Sequence, residues 1–262
     1  NLRPFLQSDD CRVLAICDVD AWRLAKGVEA ADAHYGAKGC AGYRDFRELL
    51  ARPDIDAVMI STPDHWHVPM ALAAVRAGKD VALEKPITRY IDEGRMLARL
   101  VAEKQRVFRV DSEFRSSAHF HKAAELVRNG VIGKLHTVRT GSPKEVFPAE
   151  PAVAAPPPAD LDYDLWLGPA PQVAYMQKRV HPPRTLDARP GWMRCLDYCD
   201  GMICNWGTHL NDIAQWGAGT ERTGPVELKA TGQFHADPVW NVLESFDAWY
   251  KFAGGVELFY QM

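Results

Sequence analysis

Three short segments of this 262-residue chain carry side chains suited to chemistry, each at the end of an apolar run. Asp18 closes Arg12–Asp18, and Thr62-Pro63-Asp64-His65-Trp66-His67 follows Ile55–Ser61. Glu84-Lys85-Pro86 follows Val81–Leu83. In a dinucleotide-binding βαβ unit, an acid at the end of the second strand accepts hydrogen bonds from the adenosine ribose hydroxyls. It lies about 20 residues beyond the glycine turn that cradles the pyrophosphate. Counting back from Asp18 puts that turn ahead of Asn1, and no G-x-G-x-x-G occurs in the sequence. An acid at this place repels a ribose 2′-phosphate, so NAD is expected over NADP, and Arg23 is not placed to reverse that. A lysine beside a nicotinamide and an alcohol stabilises the developing alkoxide and passes on its proton. That is the role open to Lys85, with Glu84 to orient it and Pro86 to stiffen the turn. His65 and His67 have strand-like spacing and no third ligand, so no metal is expected.

The elements that must hold these residues alternate. Arg12–Asp18, Ile55–Ser61, Val81–Leu83 and Arg106–Val110 read as short buried strands. Ala21–Tyr35, Asp45–Ala51, His67–Ala77 and Asp92–Lys104 read as helices, the third closed by Gly78 and the last acidic at its start and basic at its end. Such alternation predicts a parallel sheet with helices on both faces. Phe120–Arg128 then reads as a helix ended by Asn129-Gly130, and Leu135–Thr140 as a strand. Six prolines between Pro143 and Pro158 rule out regular structure there. Trp206–Trp216 reads as a helix with Gly217 and Gly219 behind it. Val226–Phe234, Phe246–Phe252 and Val256–Gln261 read as strands, with Gly254-Gly255 as a hairpin turn. The expected fold is an α/β Rossmann-like domain over 1–112, lacking its first strand and glycine loop. An α+β domain with a mostly antiparallel sheet is expected over 113–262. Both ends of the sequence read as cut mid-fold, because Met262 follows a strand directly and leaves its edge unpaired.

Composition narrows the function classes. A formal charge of −3 gives no electrostatic case for nucleic acid or an anionic membrane. No apolar run approaches the ~20 residues of a membrane helix. Cys11, Cys17, Cys40, Cys195, Cys199 and Cys204 match no paired zinc pattern, and a chain this long needs no disulfide scaffold. Reduced thiols and a cytoplasmic location are expected, or a periplasmic one if a leader peptide precedes Asn1.

The order of Asp18, Thr62-Pro63…His67 and Glu84-Lys85-Pro86 resembles the glucose–fructose oxidoreductase, inositol dehydrogenase and rhizopine-catabolism (Gfo/Idh/MocA) family. So do Asp197-Tyr198-Cys199-Asp200-Gly201-Met202 with Gly207-Thr208-His209-Leu210-Asn211-Asp212, and the loop Asp164–Pro171. The resemblance implies NAD or NADP in the first domain and a sugar or cyclitol against the sheet of the second. It implies Lys85 as the substrate-contacting lysine and His209 as the base for the hydroxyl proton. Asp18, Thr62, Pro63, His67, Glu84, Lys85 and Arg115 are the expected cofactor residues. Trp166, Arg194, Tyr198, Asn205 and Asp212 are the expected substrate residues, and His181 is expected to be a loop residue. Homo-oligomers pairing through the C-terminal sheet are implied as well. Where the family commonly has aspartate four residues before the histidine, this chain has Asn205. An amide neither accepts a proton nor holds an imidazolium by charge. Asp212, one helical turn beyond His209, is the nearby acid expected to orient the ring. The leading expectation is reversible alcohol–ketone oxidation with hydride to NAD. The alternatives are an NAD-dependent glycosidase acting by transient oxidation and elimination, and a non-catalytic family member with a binding role.

Overall fold

The computed structural model of the chain describes residues 2–186 and 188–262. Two compact units are present: one runs to Arg109 and takes in Ala152–Trp192, the other comprises Val110–Pro151 and Met193–Met262. The first opens with α1 (Leu2–Leu6), β1 (Ala15–Cys17), α2 (Ala21–Tyr35), β2 (Ala41–Tyr43) and α3 (Phe46–Leu50). It continues through β3 (Ala57–Ile60), α4 (His67–Arg76), β4 (Asp80–Leu83), α5 (Ile91–Lys104) and β5 (Phe108–Val110), whose last residue begins the second unit. Next come α6 (Ala118–Arg128) and β6 (Thr137–Gly141) of the second unit. The short α7 (Tyr163–Leu167) returns to the first, and α8 (Met202–Asn205), α9 (Gly207–Ala218), β7 (Glu227–Phe234), β8 (Leu243–Lys251) and β9 (Glu257–Gln261) complete the second.

In the first unit β1 pairs in parallel with β2, and β3 in parallel with β4, which β5 extends. These strands form two separate sheets, one of two strands and one of three. The helix ends follow local chemistry. Asp20 caps α2 by accepting from the Trp22 and Arg23 amides, and Gly36 closes it in the left-handed conformation. Val68, Ala71, Leu72, Ala74 and Val75 of α4 bury against Ile60, Val81, Leu83 and Leu97. Each large side chain among these contributes about 1.5–3 kcal/mol by leaving water. Lys79, just before β4, is buried and donates to the carbonyls of Arg52 (2.6 Å) and Ile55 (2.8 Å), so its charge satisfies loop carbonyls at the amino ends of the strands.

The segment Ala152–Trp192 is tied into this unit through the turn after β1. The Ala21 amide donates to Asp160 O (2.8 Å), and the Asp162 amide to Val19 O (3.0 Å). Asp162 then caps α7 by accepting from the Leu165 amide. The proline-rich stretch forms no helix or strand, only an isolated bridge between Ala154 and Met176. Four short elements, α1, β2, α7 and α8, go beyond what periodicity predicts, because three to five residues are too few to display a period. Gly217 lies inside α9, and Gly219 is the residue that ends it.

The second unit carries a four-stranded sheet of order β6-β9-β8-β7. Only β6–β9 is parallel; the β8 pairings on either side are antiparallel. Ala214 of α9 packs with Phe252 and Leu258, and the buried Tyr260 hydroxyl of β9 donates to Met202 O of α8 (3.0 Å). Every residue of β7 is exposed. Among the described residues no helix is long and apolar enough to cross a membrane.

Gly168 is fixed by both backbone and space. Gly168, after α7, has φ +50°, and a Cβ there would lie 2.1 Å from Trp66 Cζ2. Gly36 has φ +65° with nothing within 4 Å of its Cβ position. Gly36→Ala should therefore cost about 1–2 kcal/mol from the backbone alone. Gly168→Ala should cost that plus an overpacking term of about 1–3 kcal/mol. Equal losses of thermal stability in the two variants would contradict this packing.

Candidate functional site

Asp18 follows β1 directly, and its Oδ1 accepts from the Asp20 amide at 2.9 Å. Burial raises its pKa to about 6; the Asp20 carboxylate adds to the rise, while the Asp20 N–H and the charges of Arg23 and Arg44 oppose it. Arg23 does not reach outward. Its Nη2 donates to Pro182 O (3.0 Å) and Thr185 O (2.8 Å), so it clamps the Pro182–Thr185 loop. His181, next to that clamp, is held neutral with a pKa lowered to about 4, first by burial and then by the Arg23 charge.

The other two segments meet at the carboxyl ends of β3 and β4, which are adjacent in the sheet. The His67 ring is buried, with Nδ1 2.6 Å from Pro86 O and Nε2 3.0 Å from Thr62 O. Both nitrogens thus face main-chain carbonyls, and the ring donates to both only with a hydrogen on each nitrogen. His67, expected at the cofactor, instead fastens the Thr62-Pro63 turn to the Glu84-Lys85-Pro86 turn. The Glu84 amide donates to Ile60 O (2.9 Å), and its Oε2 accepts from the Lys85 amide (3.1 Å). The Lys85–Pro86 bond is cis. Lys85 itself is half-buried. Thr62 Oγ1 is buried with no hydrogen-bond partner.

His65 and Trp66 turn away to hold α7. The Trp66 indole donates to Leu165 O and Trp166 O (both 3.1 Å), and His65 Nε2 lies 3.2 Å from Trp166 O. Burial lowers the His65 pKa to about 4, so the ring is neutral at pH 7. Trp166 is buried, stacked on Tyr163 at 5.9 Å and 5.7 Å from His65. It therefore belongs to the core of the first unit.

In the second unit His209 is a buried residue of α9. Phe114 stacks on its ring at 4.5 Å with a 24° interplanar angle, and Glu113 Oε1 lies 3.9 Å from its Nε2. Arg115 and Asp212 bond each other: Nε to Oδ2 at 2.6 Å and Nη2 to Oδ1 at 2.8 Å. This bidentate fork joins the guanidinium expected at the cofactor to the carboxylate expected at His209 or the substrate. Arg194 Nε donates to Val146 O (2.7 Å) and Glu145 Oε1 (3.1 Å). Tyr198 is fully buried. Asn205 ends α8, one turn before His209. Glu113 and Phe114 were not singled out by type or spacing, for they lie 95 and more residues from the histidine they face.

The donor set fits a dinucleotide in part. Asp18 offers carboxylate acceptors at a strand end, and the partnerless Thr62 hydroxyl offers a polar contact beside Lys85's turn. Among the described residues no group of three His, Cys, Asp or Glu could hold a metal.

The raised pKa of Asp18 makes a stability prediction. The unfolded carboxyl titrates near 3.8 and the folded one near 6. The extra stability of the protonated folded form is thus complete below pH 4 and is lost as pH rises through 6. Asp18→Asn has no such loss, so its stability relative to the wild type should rise by about 2–3 kcal/mol between pH 4 and pH 7. A stability difference that stays constant across that range in thermal melts would contradict the burial of this charge.

The family model described as an oxidoreductase family, NAD-binding Rossmann fold, matches residues 1–112. That family's C-terminal alpha/beta domain matches residues 146–260. A glycosyl hydrolase family 109 protein of Saccharopolyspora erythraea is 37% identical over 137 residues, which are 50% of this chain and 29% of that protein. The levoglucosan dehydrogenase of Pseudarthrobacter phenanthrenivorans is 34% identical over 95 residues, 36% of this chain and 24% of that one. The structure of a levoglucosan dehydrogenase in complex with NADH and L-sorbose shares the fold at a TM-score of 0.70 and 19% identity. That match covers 99% of this chain and 60% of the other. The aligned regions thus span less than a third of the two curated relatives. With both domain models matched in order, the chain belongs to the Gfo/Idh/MocA oxidoreductase family.

Proposed function

We propose that the protein oxidises a hydroxyl of a sugar or cyclitol to a carbonyl, with hydride going to NAD. The observation that carries this reading is the bridge of His67 between Thr62 O and Pro86 O. It fixes Lys85 on a rigid turn at the carboxyl end of a parallel strand, where open α/β sheets bind their ligands. A bound nicotinamide supplies the hydride acceptor. The chain's own residues do the rest. The Lys85 ammonium stabilises negative charge growing on the substrate oxygen, and His209 takes the hydroxyl proton. Asp18 holds the ribose hydroxyls. Its carboxylate, together with the engagement of Arg23 by Pro182 O and Thr185 O, supports NAD over NADP. The dehydrogenase relatives support a sugar as the substrate class. The exposed β7 strand supports pairing of two copies through the second unit's sheet.

A second reading is an NAD-dependent glycosidase that oxidises its sugar transiently, eliminates the aglycone next to the carbonyl, and reduces again. The Saccharopolyspora erythraea relative, a glycosyl hydrolase family 109 protein, favours it. So does Asn205, which departs from the family's usual acid.

Turnover separates the two. Accumulation of NADH with free sugars or cyclitols supports the dehydrogenase, and cleavage of aryl glycosides without net NADH supports the glycosidase. In either case Lys85→Ala should lower kcat by about 10²–10⁴-fold while the NAD dissociation constant changes only a few-fold. Unchanged turnover in that variant would remove Lys85 from the chemistry.

A further inference from the structure

We propose that Glu113 is a positioning residue for His209, supplying the carboxylate that α9 lacks with asparagine at position 205. The inference rests on the reading of His209 as the base of hydroxyl oxidation. When the hydroxyl proton passes to His209, the C–H bond gives up hydrogen with its electron pair to NAD and the C–O bond becomes a carbonyl. The imidazole gains one positive charge, which it later releases as a proton to water. A carboxylate next to the ring favours that charged form. Asn205 cannot provide it. Asp212, the acid on the same helix, is committed to the Arg115 guanidinium through two short hydrogen bonds, so its charge is already matched. Glu113 Oε1 lies 3.9 Å from His209 Nε2, and a pair of unit charges at that separation favours the imidazolium about fivefold even in bulk water.

The turn that carries Glu113 is held against α9 by its next two residues. Phe114 stacks on the His209 ring at 4.5 Å and on Phe120 of α6 at 4.7 Å. Arg115 forms the fork to Asp212 and lies 5.2 Å from the Trp216 ring. The turn is closed by the Arg115 amide on Ser112 O (3.0 Å) and the Ser117 amide on Phe114 O (3.1 Å). The aromatic face of Phe114 favours the same charged state of the imidazole. Of the charged groups on α6, Lys122 pairs with Glu125 and Arg128 with Glu221.

The test compares wild type, Glu113→Gln and Glu113→Asp in the whole protein, by steady-state kinetics and by ¹⁵N NMR of the His209 ring without substrate. The Glu113 side chain is 66% exposed, so both variants should keep the wild-type melting temperature. Glu113→Gln should lower kcat by about 5–30-fold with KM within about twofold. It should also lower the ratio of charged to neutral His209 at fixed pH by about fivefold, and Glu113→Asp should restore part of both. Unchanged kcat, or lost kcat with an unchanged His209 charge ratio, would overturn the proposal. If the wild type turns over no sugar or cyclitol, the functional reading fails. The NMR comparison then decides the coupling by itself, and an unchanged ratio overturns it.

Discussion

A buried imidazole between two main-chain carbonyls sets the geometry of the first unit's chemistry. His67 reaches Thr62 O with one nitrogen and Pro86 O with the other. The two turns follow neighbouring parallel strands, whose register Ile60↔Leu83 already brings their ends level. Hydrogen bonds along a parallel pair stop where the strands stop, and the residues beyond are the ones a ligand meets. The imidazole continues the cross-link past the last ladder bond. Lys85 therefore leaves a turn anchored through the Glu84 amide on Ile60 O and through Pro86 O on His67. Main-chain hydrogen bonds thus hold the backbone on both sides of the lysine.

The second unit solves the same problem with different chemistry. His209 sits on a helix, and the turn Glu113–Ser116 is held to that helix by a guanidinium–carboxylate fork and by ring stacking. An aromatic contact fixes the plane of the imidazole, while the fork fixes the spacing of the turn. The adjacent hydroxyl of Tyr260 on Met202 O anchors α8, and with it Asn205, to the sheet beneath. Polar groups near the proposed base are thus positioned by partners on three separate elements.

Much of this was legible in the chain. The helix Ala21–Tyr35 has the expected ends because Asp20 and Gly36 are strong cap residues acting locally. The strands before Thr62 and Glu84 were legible because buried parallel strands are continuous apolar runs. What stayed hidden depends on contacts distant in sequence. Residue type and strand-end position brought out His67, but not the direction of its ring. Arg115 and Asp212 stand 97 residues apart, so each looked available for a ligand. The residue type of Trp166, expected at the substrate, did not show its stacking on Tyr163 or the Trp66 indole that donates to its carbonyl. The strand Ala41–Tyr43 is three residues around a glycine, and it is defined by its pairing with β1.

In the proposed reaction a carbon-bound hydrogen of a sugar or cyclitol leaves as hydride to a nicotinamide held by this protein. The most direct measurement supplies substrates deuterated at the hydroxyl-bearing carbons together with NAD, and examines the nicotinamide by NMR. The proposed reaction leaves deuterium at the ring's 4-position with stoichiometric formation of the ketone. Reduced nicotinamide carrying only protium at its 4-position, or ketone formed without reduced nicotinamide, would contradict it.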